Sequence, residues 1–139
     1  MKTISKSLRW MAAYAAVFFA LGTAFGETVA EGSWTDKGYA VAGKWSIEKE
    51  GGKMVVKLDE NFKTSSGPDL KIFLSPQTVA SLKGGNATKG AVLVAPLKST
   101  KGAATYAIPA GTDLSKFKAI VIHCEKFSKL WSAGALPGS

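Results

Sequence analysis

The sequence predicts an all-β fold, a single antiparallel β-sandwich, with a small barrel as the alternative closure. Three observations predict it. Short runs of apolar, β-branched and aromatic residues recur with turn residues between them, which is what half-buried strands need. One of those runs alternates strictly between two faces. No stretch carries a long apolar period of helical spacing, so six or seven short strands are expected.

The chain opens on a segment that is not fold. Lys2, Lys6 and Arg9 precede an apolar run from Trp10 to Phe25, and no acidic residue appears before Glu27. That is the layout of a secretory signal peptide, with small residues in Ala24-Phe25-Gly26 at its exit. The apolar run is shorter than the ~18–20 residues that a membrane-spanning helix requires. The expectation is a leader over 1–26, cleaved before Glu27, and a domain over 27–139. The product would be exported, periplasmic or extracellular, with no membrane anchor after cleavage. A mature chain of that size is long enough for a real core.

From Tyr39 to Lys49, Tyr39, Val41, Gly43, Trp45 and Ile47 share one face, opposite Ala40, Ala42, Lys44, Ser46 and Glu48. Glu50-Gly51-Gly52-Lys53 follows, and its Gly-Gly centre supplies the positive φ angles of a tight hairpin turn. Met54, Val56 and Leu58 then face inward, which predicts a hairpin over 39–59. Thr64-Ser65-Ser66-Gly67-Pro68-Asp69 reads as a shaped loop. Pro68 fixes its own φ, Gly67 permits unusual backbone angles, and Asp69 can accept from nearby amides. Leu70 to Leu74 is a third strand, and Val79 to Leu82 makes at most a short helical turn. Ala91 to Leu97 is a fourth strand, and Pro96 places it at an edge or a strand end. Ala104 to Pro109 is a fifth.

Phe117 to Phe127 contains the only cysteine and the only histidine of the chain. The residues before Cys124 form a dense β-branched run, which predicts a central buried strand over 118–124. Side chains alternate on a strand, so Ile120, Ile122 and Cys124 share one face while Ala119, Val121 and His123 share the other. A straight strand cannot aim both His123 and Cys124 at one metal ion. His123 is expected as a partly exposed strand histidine. Leu130 to Leu136 is expected as a last edge strand, and Trp45, Phe73, Phe127 and Trp131 as core.

Composition excludes several functions. Without the three basic residues of the leader, 15 lysines face ten carboxylates, for a net +5, and no arginine follows Arg9. Phosphate readers favour arginine for its bidentate fork. A solvated basic surface accounts for the lysines better, and no nucleic acid is expected as partner. A Ser-His-Asp triad would have to use His123 in mid-strand without a nucleophile elbow. Zinc sites need more Cys, His or carboxylate ligands of the preferred kind than are offered, so no metal is expected. No Gly-rich phosphate loop opens a helix, and Asp59 with Glu60 reads as a solvated turn rather than a catalytic carboxylate pair. An ordinary hydrolase is not expected, and a non-enzymatic electron-transfer or binding domain fits better.

One cysteine forbids an internal disulfide, and an exported compartment oxidises exposed thiols. A lone cysteine there is buried, liganded, paired with another chain, or in use. Covalent c-type haem is excluded because Cys-x-x-Cys-His is absent.

Three places line up with a known family. Ser66-Gly67-Pro68-Asp69-Leu70 leads into Phe73-Leu74-Ser75. Tyr106-x-Ile108-Pro109 is followed by Asp113 and Phe117. Ile120-Val121-Ile122-His123-Cys124-Glu125-Lys126-Phe127-Ser128 precedes Trp131 and Leu136. In order and spacing these resemble the DM-thirteen domain, a family described as an electron-transfer module, over essentially the whole mature chain. The resemblance implies a β-sandwich and a cysteine acting as a naked thiol or as ligand to a prosthetic group such as haem. That role falls on Cys124, with Gly67, Pro68 and Asp69 as the loop shaping the site and His123 as a neighbouring cofactor-binding candidate. The family typically has tryptophan where this chain has His123. Two readings result: a redox module with an unidentified redox partner, or an exported binding module that engages a cell-envelope protein and keeps a structural buried cysteine.

Overall fold

Nine strands run through residues 26–138, the part of the chain that a computed structural model describes. They are β1 (Glu27–Ser33), β2 (Thr35–Asp36), β3 (Lys44–Glu50), β4 (Lys53–Leu58), β5 (Leu70–Ser75), β6 (Val92–Pro96), β7 (Ala104–Ala107), β8 (Ala119–Cys124) and β9 (Lys129–Ala135). One sheet has the order β1-β3-β4-β7 and the other β2-β9-β8-β5-β6, with every pairing antiparallel. The two sheets remain separate, so the sandwich forms and the barrel does not. The apolar run expected as a leader lies outside the described residues.

Between the sheets sits the main core, built from Trp45, Ile47, Val56, Leu58 and Tyr106 on one side and Ile72, Leu74, Ile120, Ile122 and Trp131 on the other. Trp45 fills the space that two glycines leave. A Cβ on Gly32 would stand 2.9 Å from the ring, and one on Gly134 would overlap its Nε1. The indole N–H instead donates to the Ser33 carbonyl at 3.2 Å. A second, smaller core lies on the outer face of the β8 sheet, where Leu82 and Ala87 of the 76–91 connection cover Phe73, Ala119, Val121, Leu130 and Ala133.

Several expectations need correction. The first expected strand starts late: β3 begins at Lys44, and the hairpin spans 44–58 rather than 39–59. Gly43 breaks it, with φ +87° and no room for a Cβ beside Asp59 and Phe62. Tyr39 and Val41 nonetheless pack against the main core, as their alternation implies. The hairpin turn itself is as read, with Gly51 and Gly52 at φ +59° and +84°. β1 and β2 were not expected, because Glu27–Asp36 shows little alternation and few large apolar residues. As a result β9 is not an edge: Thr35 and Asp36 pair with Ala133 and Ser132. β7 stops at Ala107, short of Pro109, and the helical turn at Val79–Ser81 is a 3-10 turn capped by Thr78.

Connectivity sorts the loops by end. The 59–69 and 97–103 connections and the β8–β9 turn gather at one end, since Leu58 pairs with Ala104, Leu70 with Cys124 and Lys71 with Pro96. The β3–β4 hairpin tip and the 108–118 connection occupy the other.

Candidate functional site at the end of the central strand

Every residue of β8 is buried, and five exposed residues follow Cys124 at once. The strand lies in the middle of its sheet, so both of its backbone edges are paired and only its end meets the surface. Alternation holds: Ile120, Ile122 and Cys124 belong to the core between the sheets, and Ala119 and Val121 to the outer one. Cys124 is free and 0 % exposed. Among the described residues its sulfur has no hydrogen-bond partner, as befits a small hydrophobe in an apolar core.

The fold brings the Gly67-Pro68-Asp69 loop to this place. Leu70 pairs with Cys124 in the ladder, and the Glu125 amide donates to the Asp69 carbonyl at 3.1 Å. Gly67 serves differently from the expectation. Its φ is not in the left-handed region; a Cβ there would stand 3.0 Å from the Trp131 ring and 3.1 Å from Leu70. Any larger residue would press on the indole that passes under it. Asp69 also departs from its expected role as an amide acceptor. Its carboxylate pairs with Lys71 at 3.5 Å, and Lys71 bonds Glu125 at 2.7 Å. The Glu125 carboxylate holds the Lys71 ammonium above the usual lysine range, with partial burial opposing it and Asp69 adding to it. Lys71 therefore clamps the loop to the residue after the cysteine.

Trp131 completes the inner wall. The β8–β9 register shifts between Ile122 and His123, and Trp131 joins the same core cluster as Ile122 and Cys124. Its indole N–H donates to the Thr64 hydroxyl at 2.9 Å, and its ring stacks on Tyr39 with centroids 3.6 Å apart. Neither Thr64 nor Lys71 carried a signal in the sequence: each meets a partner more than fifty positions away.

His123 is a correction. It is 2 % exposed rather than partly open, lying under the 76–91 connection. Its Nε2 lies 2.9 Å from the Gly84 carbonyl, and its ring meets Phe73 edge-on. A carbonyl only accepts, so Nε2 carries the hydrogen of this bond; Nδ1 is buried without a partner. His123 and Cys124 thus face opposite cores and share no site. Phe127, expected in the core, is 64 % exposed at the β8–β9 turn.

Two cavities stand out among the described residues. One of about 930 Å³ lies at the hairpin-tip end among Val29, Met54, Ile108 and Leu114, away from the cysteine. The other, about 410 Å³, lies against the β8–β9 turn. Neither is lined by Cys124 or His123. A haem ligated by Cys124 needs an open face at the sulfur and room for a porphyrin, and the residues around Cys124 provide neither. Among the described residues no cluster of three or more His, Cys, Asp or Glu side chains is placed to hold a metal.

Comparison with curated proteins and with solved structures gives no match. A family model described as electron transfer DM13 matches residues 34–135, from Trp34 ahead of β2 to the last residue of β9. The chain belongs to the DM13 electron-transfer family.

Proposed function

We propose that this chain is an exported electron-transfer module in which Cys124 works as a naked thiol at the end of the central strand. The observation that carries the reading is the convergence on that strand end of the lone cysteine and the clamped Gly67-Pro68-Asp69 loop, joined by the Leu70–Cys124 pairing and the Glu125–Asp69 bond. Enclosure of the sulfur restricts the chemistry. Thiol–disulfide exchange requires attack on sulfur by a second thiol, and a fully enclosed Sγ offers no approach. Electron transfer between protein centres needs proximity, not contact. Gly67 lets the Trp131 ring close under the loop, and Lys71 ties Asp69 to Glu125, the residue after the cysteine.

A second reading has its own support: an enclosed thiol among Ile122, Leu70 and Trp131 is also what a purely structural cysteine looks like, in an exported binding module. Protein-film voltammetry separates the two. The redox reading expects a wave in the native protein that disappears in Cys124→Ala while the fold persists. An identical trace from the variant leaves only the structural role. An absorption spectrum of the exported protein is expected to lack a Soret band, and a mass starting at Glu27 is expected for the secreted product.

A further inference from the structure

The β8–β9 turn presents the most exposed large apolar side chain among the described residues, Phe127. It stands beside the notch of about 410 Å³, whose floor is Leu82, Gly84 and Leu130 and whose rim is Lys37, Lys83 and Lys129, with no carboxylate in the lining. Lys126 adds a fourth ammonium 5.8 Å from the Phe127 ring centroid, and Lys129 stands 5.4 Å from that of Tyr39. None of the four lysines makes an ion pair among the described residues; Glu125, just before Lys126, pairs with Lys71, and Asp36, just before Lys37, accepts from the Gly38 amide at 2.9 Å. The notch has a fixed shape. His123 holds the Gly84 carbonyl from behind, and Gly84 lies so close to the Ser128 carbonyl that no Cβ fits.

We propose that this notch docks an acidic segment of a partner protein, seating an apolar side chain beside Phe127 and its carboxylates on the lysine rim. Charge complementarity names the occupant: four unpaired ammonium groups around an exposed aromatic ring lower the cost of approach for an acidic surface and repel a basic one. A preformed wall also spares the ordering cost of binding. The inference deepens the electron-transfer reading, because the turn directly follows Cys124, yet its test measures binding alone.

The probe is fluorescein-labelled Glu-Glu-Leu-Glu-Glu, followed by anisotropy with the full chain at low ionic strength. Binding is expected, and it should weaken as salt screens the lysines. The Lys83→Glu/Lys126→Glu/Lys129→Glu variant is expected to lose about tenfold in affinity. Phe127→Ser is expected to lose severalfold, and Lys49→Glu/Lys53→Glu at the opposite end to match the native protein. All these side chains are surface groups, and a thermal melt confirms that each variant is folded. Undiminished binding by the triple variant, equal loss in the opposite-end pair, or displacement of the peptide by phosphatidylglycerol vesicles overturns the proposal. Binding that survives while the voltammetric wave is absent would sink the redox reading and leave the docking surface standing.

Discussion

The two faces of β8 are equally buried but are covered by different things. The inner face meets the other sheet, whose backbone groups are already paired in their own ladder, so a side chain there finds only side chains. Cys124 fits because it asks for nothing. The outer face meets the 76–91 connection, an irregular segment whose carbonyls are not all used in a ladder. Gly84 lends one of them to His123. Neighbouring positions on one strand can thus carry a thiol without partners and an imidazole with one, because a covering loop satisfies polar atoms that a covering sheet cannot.

The largest test of this contrast is Trp131→Ala on the inner side. It opens a large void between the sheets and strands the Thr64 hydroxyl, and should cost about 3–5 kcal/mol in chemical denaturation. On the outer side His123→Ala should cost about 2–3 kcal/mol, from a smaller void and an unpaired Gly84 carbonyl. His123→Gln, which keeps a donor, should recover part of that loss; no recovery would mean that the carbonyl never depended on the ring. Cys124→Ser probes the inner face directly. Its hydroxyl has no acceptor there, so it should be less stable than Cys124→Ala by about 1–2 kcal/mol. Equal stability would break the contrast.

How much of this was legible in the sequence follows the range of each signal. Alternation and Gly51-Gly52 are local, and they gave the β3–β4 hairpin and the two faces of β8. Glu27–Asp36 has short polar residues on both faces, so β1 and β2 exist only because a sheet is there to pair with. The burial of His123 depends on a connection that folds back over the strand from some forty positions away. Phe127 looked like core because it is aromatic, although Glu125, Lys126, Ser128 and Lys129 around it are the marks of an exposed turn. The convergence of Gly67 with Cys124 came from the family pattern; the reason for the glycine, an indole 3.0 Å from its missing Cβ, needed coordinates.

The smallest expected effect concerns Lys71, which lies on the outer face of β5 opposite His123 in the ladder. Its ammonium is raised above the ordinary lysine value of 10.5, chiefly by the hydrogen bond to Glu125 and then, against partial burial, by Asp69. A raised folded value contributes stability that is fully present below 10.5 and is lost as pH climbs through that higher value. Lys57, raised by Glu50 and Glu48, acts in the same direction, so alkaline melting of the native protein contains both contributions. Lys71→Met removes one of them. Its melting temperature should fall slightly below that of the native protein at pH 7, and the two should converge above pH 10.5. Asp113, lowered by the Ser115 hydroxyl and amide, contributes stability that is constant above pH 3.8 and is lost only as pH falls below it, so it leaves the alkaline comparison untouched. A gap that stays constant through the alkaline range would mean that the lysine stem, packed beside the ladder, matters more than its charge, and that the outer face tolerates polarity through packing rather than through pairing.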